Sequence, residues 1–252
     1  HSHLMTIAYI ILFSVLGGVG SALLASLLFW RRQKLPTNVR DLILSYATGT
    51  MLGAACLGML PHALEHLSAR ATLTTMLVGI VGFFILEKLL IWRHCHEVDC
   101  PEHSQPGPLI LIGDGVHNAV DGVAIGLAFI LDPGLGFATG IAVIAHEIPQ
   151  EVGDIMILIH GGFRRRKAIF LNLLASLTTV PAAIAVYIAG DHLGRFTSHA
   201  LAVSAASFLY IALADLTPDH RHKYRLRDTA SQCAGILAGI ATIALVQAGL
   251  RA

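Results

Sequence analysis

Charge is scarce in this chain. Of its 252 residues only 13% are Asp, Glu, Lys or Arg, about half the ~25% of an ordinary soluble domain. The formal net charge is only +1. Together these exclude a disordered polyelectrolyte and a nucleic-acid binder, which needs a basic surface. Cysteine is scarce too. Four residues, two of them (Cys56 and Cys233) inside apolar runs, do not make a disulfide framework. No Gly-X4-Gly-Lys-Ser/Thr phosphate loop is present, so nothing points to nucleotide hydrolysis. Long polar loops are missing as well, which leaves no room for a separate soluble domain.

Apolar residues make up 55% of the chain, with a mean hydropathy of +0.69. A helix crossing a ~30 Å hydrocarbon core needs about 20 apolar residues. Eight runs meet that length, roughly 7–30, 41–66, 72–92, 108–131, 135–160, 168–190, 199–217 and 229–250. Membrane β-barrels instead show alternating segments of about ten residues. The fold expected is therefore all-α, a polytopic membrane protein of eight transmembrane helices. Residues 1–252 read as one transmembrane domain, interrupted by a His- and Cys-bearing loop at 93–107. No cleavable signal is visible: the first run ends in Trp30-Arg31-Arg32 rather than at a small-residue cleavage site. His1 to Leu4 read as an expression scar, with Met5 as the natural start.

Basic residues orient such a bundle. The connections after the first, third, fifth and seventh runs hold thirteen Lys and Arg, against three (Arg70, Arg195, Arg251) on the other side. Both termini are thus expected outside the cytoplasm, and Cys95 and Cys100 inside it, reduced. The expected location is the bacterial inner (plasma) membrane, with lipid as the surrounding partner.

Histidine is abundant, 14 residues against 16 acids and 17 bases. Ionisable groups at membrane depth are expensive and mark function by default. Two runs hold most of them. The fourth reads Gly-Asp-Gly-Val-His-Asn-Ala-Val-Asp-Gly at 113–122, and the fifth Ala-His-Glu-Ile-Pro-Gln-Glu-Val-Gly-Asp at 145–154. His117 and Asp121 are i,i+4 and share a helix face, with Asn118 beside them and Asp114 one turn away. His146 and Gln150 form a second such pair, Glu147 and Glu151 a third, and Asp154 extends that stripe. Counted along antiparallel helices at 1.5 Å per residue, His117, Asp121, His146 and Gln150 lie level near mid-membrane. Asp114 and Asp154 lie level with each other, nearer the inner end. Mixed imidazole and carboxylate donors suit Zn and also Fe, Mn, Co or Ni. Pro149 leaves the Ala145 carbonyl without its helical donor and is expected to kink the helix beside His146. The plainer alternative is that these groups only hydrogen-bond helix to helix.

These residues resemble the ZIP (Zrt/Irt-like) family of divalent-metal transporters. Its fourth-helix signature His-Asn-X-X-Asp-Gly stands here as His117, Asn118, Asp121 and Gly122. Its fifth-helix signature His-Glu-X-Pro-His-Glu stands as His146, Glu147, Pro149, Gln150 and Glu151. The resemblance implies eight spans, outside termini, uptake of metal toward the cytoplasm and often a homodimer. It implies His117, Asp121 and His146 as core ligands, and Asn118, Glu147 and Glu151 at an adjoining metal position or along the path. Gln150 departs from the pattern, since His or Glu is usual there and an amide oxygen is the weaker Zn ligand. The second helix departs too, offering only Met51 and Cys56 as soft donors. No cofactor is implied: zinc or another divalent transition metal is the substrate, and the chain is not an enzyme.

Further candidates lie along a metal path. His62, Glu65 and His66 end the second run on the outer side, as a capture site or a solvated helix end. His94, His96 and His103 stand in the 93–107 loop beside Cys95 and Cys100, in a spacing looser than a structural zinc site. Asp215, with Asp219, His220 and His222, stands at the inner end of the seventh run. Rival functions are an intramembrane zinc protease, an efflux carrier and a non-transporting metal sensor. The protease is weakened because His146-Glu147-Ile148-Pro149 is followed by Gln150 where its second His ligand belongs.

Overall fold

The computed structural model describes residues 2–31, 37–92, 107–194, 196–214 and 226–251. All secondary structure within them is helical. In chain order the elements are α1 (Ser2–Val15) and α2 (Ser21–Arg31), joined by the wide π-turns of Leu16–Gly20. Next come α3 (Thr37–Gly53) and α4 (Leu60–His66), joined by π-turns at Ala54–Met59. The remainder are α5 (Ala69–Trp92), α6 (Gly107–Leu131), α7 (Pro133–His160), α8 (Arg165–Ser176), α9 (Thr179–Leu193), α10 (Phe196–Ala214) and α11 (Leu226–Arg251). Each of the eight apolar runs is one of these rods, or two joined end to end.

Seven of the rods are long and apolar enough to cross a membrane. The remaining one is α7. At 28 residues it is the longest single helix among the described residues, about 42 Å at the helical rise, so its length suffices. Its apolarity is reduced by His146, Glu147, Gln150, Glu151 and Asp154, the residues that make it of interest. The chain is thus an all-helical, polytopic membrane protein.

Two connections differ from the sequence expectation. The loop expected at Leu131–Gly134 shrinks to Asp132. Its carboxylate accepts from the Leu135 N–H at 2.8 Å, and Pro133 follows at the first helical position. An Asp-Pro pair is a ready helix start, since the side chain caps a free N–H and proline lacks one. The sixth run is not one helix but two, α8 and α9, with a break at Leu177–Thr178. Pro181 explains it: its ring cannot sit over the carbonyl of Leu177 four residues back, and it brings no N–H. The Leu177 carbonyl is met by Val180 N–H instead. By contrast α7 runs through Pro149 without interruption.

The layout places α7 at the centre, packed against α2, α3, α6 and α11. α6 lies between α7 and α9, and α10 lies against α3, α4 and α5. An aromatic group locks the α6–α7 hairpin at its Asp132 end. Phe129 and Phe137 meet edge-on at 5.4 Å between centroids, and Phe13 of α1 sits 5.5 Å from Phe129. Such pairs add about 0.5–1.5 kcal/mol each beyond burial. They hold in register the two helices that carry the ionisable residues.

Two close backbone approaches fix α8 and α9 against the rest. Gly122 of α6 abuts the Thr179 carbonyl, where any Cβ would collide. Gly18, in the first π-turn segment, abuts the Ser176 carbonyl within 2.5 Å of where its Cβ would stand. Larger residues at either position would push the α8–α9 junction off the site-bearing helices.

Candidate metal centre

Four side chains from two helices converge: His117 and Asp121 of α6, and His146 and Glu147 of α7. One ligand atom from each lies within 4.8 Å of all the others. Both His Nε2 atoms take part, 3.2 Å apart. His146 Nε2 stands 3.0 Å from Asp121 Oδ2 and 3.6 Å from Glu147 Oε1. His117 Nε2 stands 3.3 Å from Glu147 Oε1 and 3.8 Å from Asp121 Oδ2. The local sequence accounts for this. The i,i+4 spacing puts His117 and Asp121 on one face, and the Phe129–Phe137 lock holds that face toward α7.

The cluster is buried. Asp121, His146 and Glu147 have no exposed surface, while the His117 side chain keeps 15%. His117 is therefore the open side of the site. His146 is oriented by its other nitrogen: Nδ1 lies 2.9 Å from the Ala142 carbonyl oxygen. A carbonyl only accepts, so Nδ1 carries the proton and in the neutral ring Nε2 keeps its lone pair. Metal-bound histidines are set up in this way. The ring also stands edge-on to Phe208 of α10, 6.0 Å between centroids, which limits its swing.

Neither oxygen of Asp121 and neither oxygen of Glu147 accepts a hydrogen bond among the described residues. Buried carboxylate oxygens without donors are costly, and native proteins seldom leave them so. Either a metal ion or a proton on His146 Nε2 supplies the positive charge that Asp121 Oδ2 calls for at 3.0 Å. The spacing suits a small cation. Tetrahedral zinc with ligand bonds of about 2.0–2.1 Å has ligand–ligand edges of about 3.3–3.4 Å. The five separations above run from 3.0 to 3.8 Å and bracket that value.

The other candidates are arranged differently. Asn118 spends both ends of its amide: Nδ2 donates to Asp114 Oδ1 at 2.8 Å, and Oδ1 accepts from Thr179 Oγ1 at 2.8 Å. Glu151 turns toward α8, where it accepts from Asn172 Nδ2 and, at 2.6 Å, from Ser176 Oγ. Asp114 is buried and its Oδ2 accepts nothing among the described residues. Asp114, Glu151 and Asp154 lie within electrostatic reach of one another, a carboxylate layer next to the four-residue cluster. Gln150 is half-buried, one turn along α7 from His146. Met51 is buried in the apolar core and Cys56 is exposed on the π-turn, so neither joins the cluster.

At the far end of α4, His62 is half-buried with Nδ1 at 2.9 Å from the Gly58 carbonyl oxygen, and Glu65 and His66 are exposed. These three form no metal-sized group with one another. His94, His96, His103 and Asp215 lie outside the described residues.

Sequence reasoning missed the α8–α9 contribution. Asn172, Ser176 and Thr179 are fully buried and support Glu151 and Asn118. A signal was present: three polar residues at i, i+4 and i+7 on an otherwise apolar run mark a polar face.

Known proteins resemble the chain over these same helices. A family profile described as ZIP Zinc transporter matches residues 92–247. The human zinc transporter ZIP4 is 31% identical over 244 aligned residues, which cover 69% of this chain and 38% of that protein. The zebrafish (Danio rerio) zinc transporter ZIP10 is 39% identical over 114 residues, 45% of this chain and 14% of its own length. The Drosophila melanogaster zinc transporter foi is 36% identical over 151 residues, 57% of this chain and 21% of its own. The chain thus spans well under half the length of these relatives. The profile covers more than half of the chain and includes both helices that build the buried histidine–carboxylate cluster, so the chain belongs to the ZIP zinc transporter family.

Proposed function

We propose that residues 1–252 act as one transport domain that carries divalent transition-metal ions, zinc foremost, across the membrane toward the cytoplasm. The observation that carries this reading is the convergence of His117, Asp121, His146 and Glu147, with four carboxylate oxygens lacking donors among the described residues. In the proposal these four hold the ion at mid-membrane. Asn118, Gln150 and Glu151 serve the adjoining position, and Asp114 and Asp154 lead from it. His62, Glu65 and His66 face the outer mouth, and His94, His96, His103 and Asp215 the exit. The excess of Lys and Arg on one set of connections supports eight spans with both termini outside the cytoplasm. A homodimer in a bacterial plasma membrane completes the proposal, the helical build setting it apart from outer-membrane barrels.

Binding and release follow from the chemistry of the donors. A hydrated ion exchanges water for two imidazole nitrogens and two carboxylates whose charges balance its own. That exchange puts positive charge among donor atoms already 3.0 to 3.8 Å apart, so it needs no large rearrangement. The carboxylate layer of Asp114, Glu151 and Asp154 offers harder oxygen donors, from which an ion dissociates more readily.

Metal flux into proteoliposomes tests the proposal, with Zn, Cd, Fe, Mn, Co and Ni compared. Zinc is expected to move, and His117→Ala to abolish that movement while the variant still purifies as a folded membrane protein. Normal flux in His117→Ala would sink the site assignment. Tight binding without flux in the wild type would favour a sensor.

A further inference from the structure

An apolar groove of about 830 Å³ opens on the flank of the bundle, between α5 and α10 on one side and α6 and α8 on the other. Its walls include Phe83, Leu111, Val116, Leu171, Leu174 and Val203, over a floor of small residues such as Ala119. Among the described residues no acidic or basic side chain lines it. The groove runs along α6 from Leu111 to Val123, about 18 Å at the helical rise. That is close to one leaflet of hydrocarbon, half of the ~30 Å core.

Basic residues precede the α8 wall of the groove. α8 begins Arg165-Arg166-Lys167 after Arg164, and Arg164, Arg166 and Lys167 are exposed. Lys167 is four residues before Leu171, hence on the face of α8 that lines the groove. Its ammonium rests over the Phe163 ring at 5.2 Å. An apolar slot one leaflet deep, with clustered positive charge preceding one wall, has the two parts of an anionic phospholipid as its complement. A neutral or zwitterionic lipid would leave the basic residues unmatched.

We infer that this groove is a binding site for an anionic phospholipid, with an acyl chain along α6 and α8 and the headgroup at Arg164, Arg166 and Lys167. The inference rests on membrane insertion alone and is independent of metal transport. Occupancy would brace α6, which carries His117 and Asp121, against α8, which supports Glu151.

The test uses the full chain in mixed phosphatidylglycerol–phosphatidylcholine vesicles. A trace of either lipid carries a photoactivatable diazirine in its acyl chain, and crosslinked peptides are mapped. The phosphatidylglycerol probe should label groove positions such as Leu171 and Val116 well above Ile188 and Leu245, which are apolar and 72% exposed elsewhere. Lys167→Gln should lower that preference about fivefold, the worth of one basic residue near an anionic headgroup. Arg70→Gln, a charge change outside this groove, should leave it unchanged. Ala119→Trp, which fills the slot, should remove groove labelling by both probes, while the charge variants keep the test sound if that protein does not fold. Equal labelling by the two probes, equal labelling of groove and Ile188, or an equal effect of Arg70→Gln and Lys167→Gln would overturn the proposal.

Discussion

Two polar layers lie side by side in this bundle and are built in opposite ways. In the first, His117, Asp121, His146 and Glu147 point their ligand atoms at one another, and the carboxylate oxygens have no hydrogen-bond donors among the described residues. In the second, Asn118 and Glu151 are tied to Asp114, Thr179, Asn172 and Ser176. Burial is similar, so it does not explain the difference. What separates the layers is whether protein donors fill the acceptors. In the first layer imidazole and carboxylate atoms face one another; in the second, hydroxyl and amide donors fill most of the acceptors. In the function proposed above, the four-residue cluster is accordingly the tighter metal position, and the neighbouring layer a braced, weaker one.

That contrast can be broken most directly at Asp121. Asp121→Ala removes a charged ligand from the unfilled layer and should cut zinc flux about a hundredfold or more, since a charged contact is worth about 3 kcal/mol and tenfold corresponds to 1.4. Flux within a few-fold of wild type would mean that the cluster is a structural network.

A smaller effect is expected in the braced layer. Glu151→Gln keeps one acceptor for Ser176 or Asn172 but loses the other and the charge. Flux should fall about tenfold, with zinc affinity at the four-residue cluster nearly unchanged by calorimetry. A large loss of affinity would place Glu151 among the primary ligands.

Gly122→Ala probes the brace rather than the donors. Its Cβ meets the Thr179 carbonyl, so α9 must shift, at about 1–3 kcal/mol. Lower thermal stability in detergent with a few-fold slower flux is the expected pattern, and unchanged stability would show that α9 yields freely. Least of all, Gln150→His should tighten zinc binding by about tenfold or less, by replacing an amide with an imidazole beside His146. Unchanged affinity would show that residue 150 does not face the ion.

Much of this was readable from the chain itself. The eight apolar runs correspond to the rods, because a run of that length has few stable alternatives once its backbone must satisfy itself in lipid. The i,i+4 pairs on α6 and α7 were readable because helical periodicity fixes which side chains share a face. The α8–α9 break was legible in principle from Pro181, yet the apolar run around it masked the signal. The same apolarity hid Asn172 and Ser176, whose partners lie on other helices.

Composition and periodicity alone determined that the chain is helical, that it belongs in a membrane, and which residues are ionisable at depth. They could not decide which of those residues meet. Spacing places His117, Asn118, Asp121, Glu147 and Glu151 on neighbouring faces, but it treats them alike. Only the tertiary structure separated them, by packing α8 and α9 against the Asn118–Glu151 level and leaving the His117–His146 level without donors among the described residues. The physical reason is that a hydrogen bond between helices depends on their relative rotation and depth. Close contacts far along the chain set those quantities, such as Gly122 on Thr179 and Gly18 on Ser176.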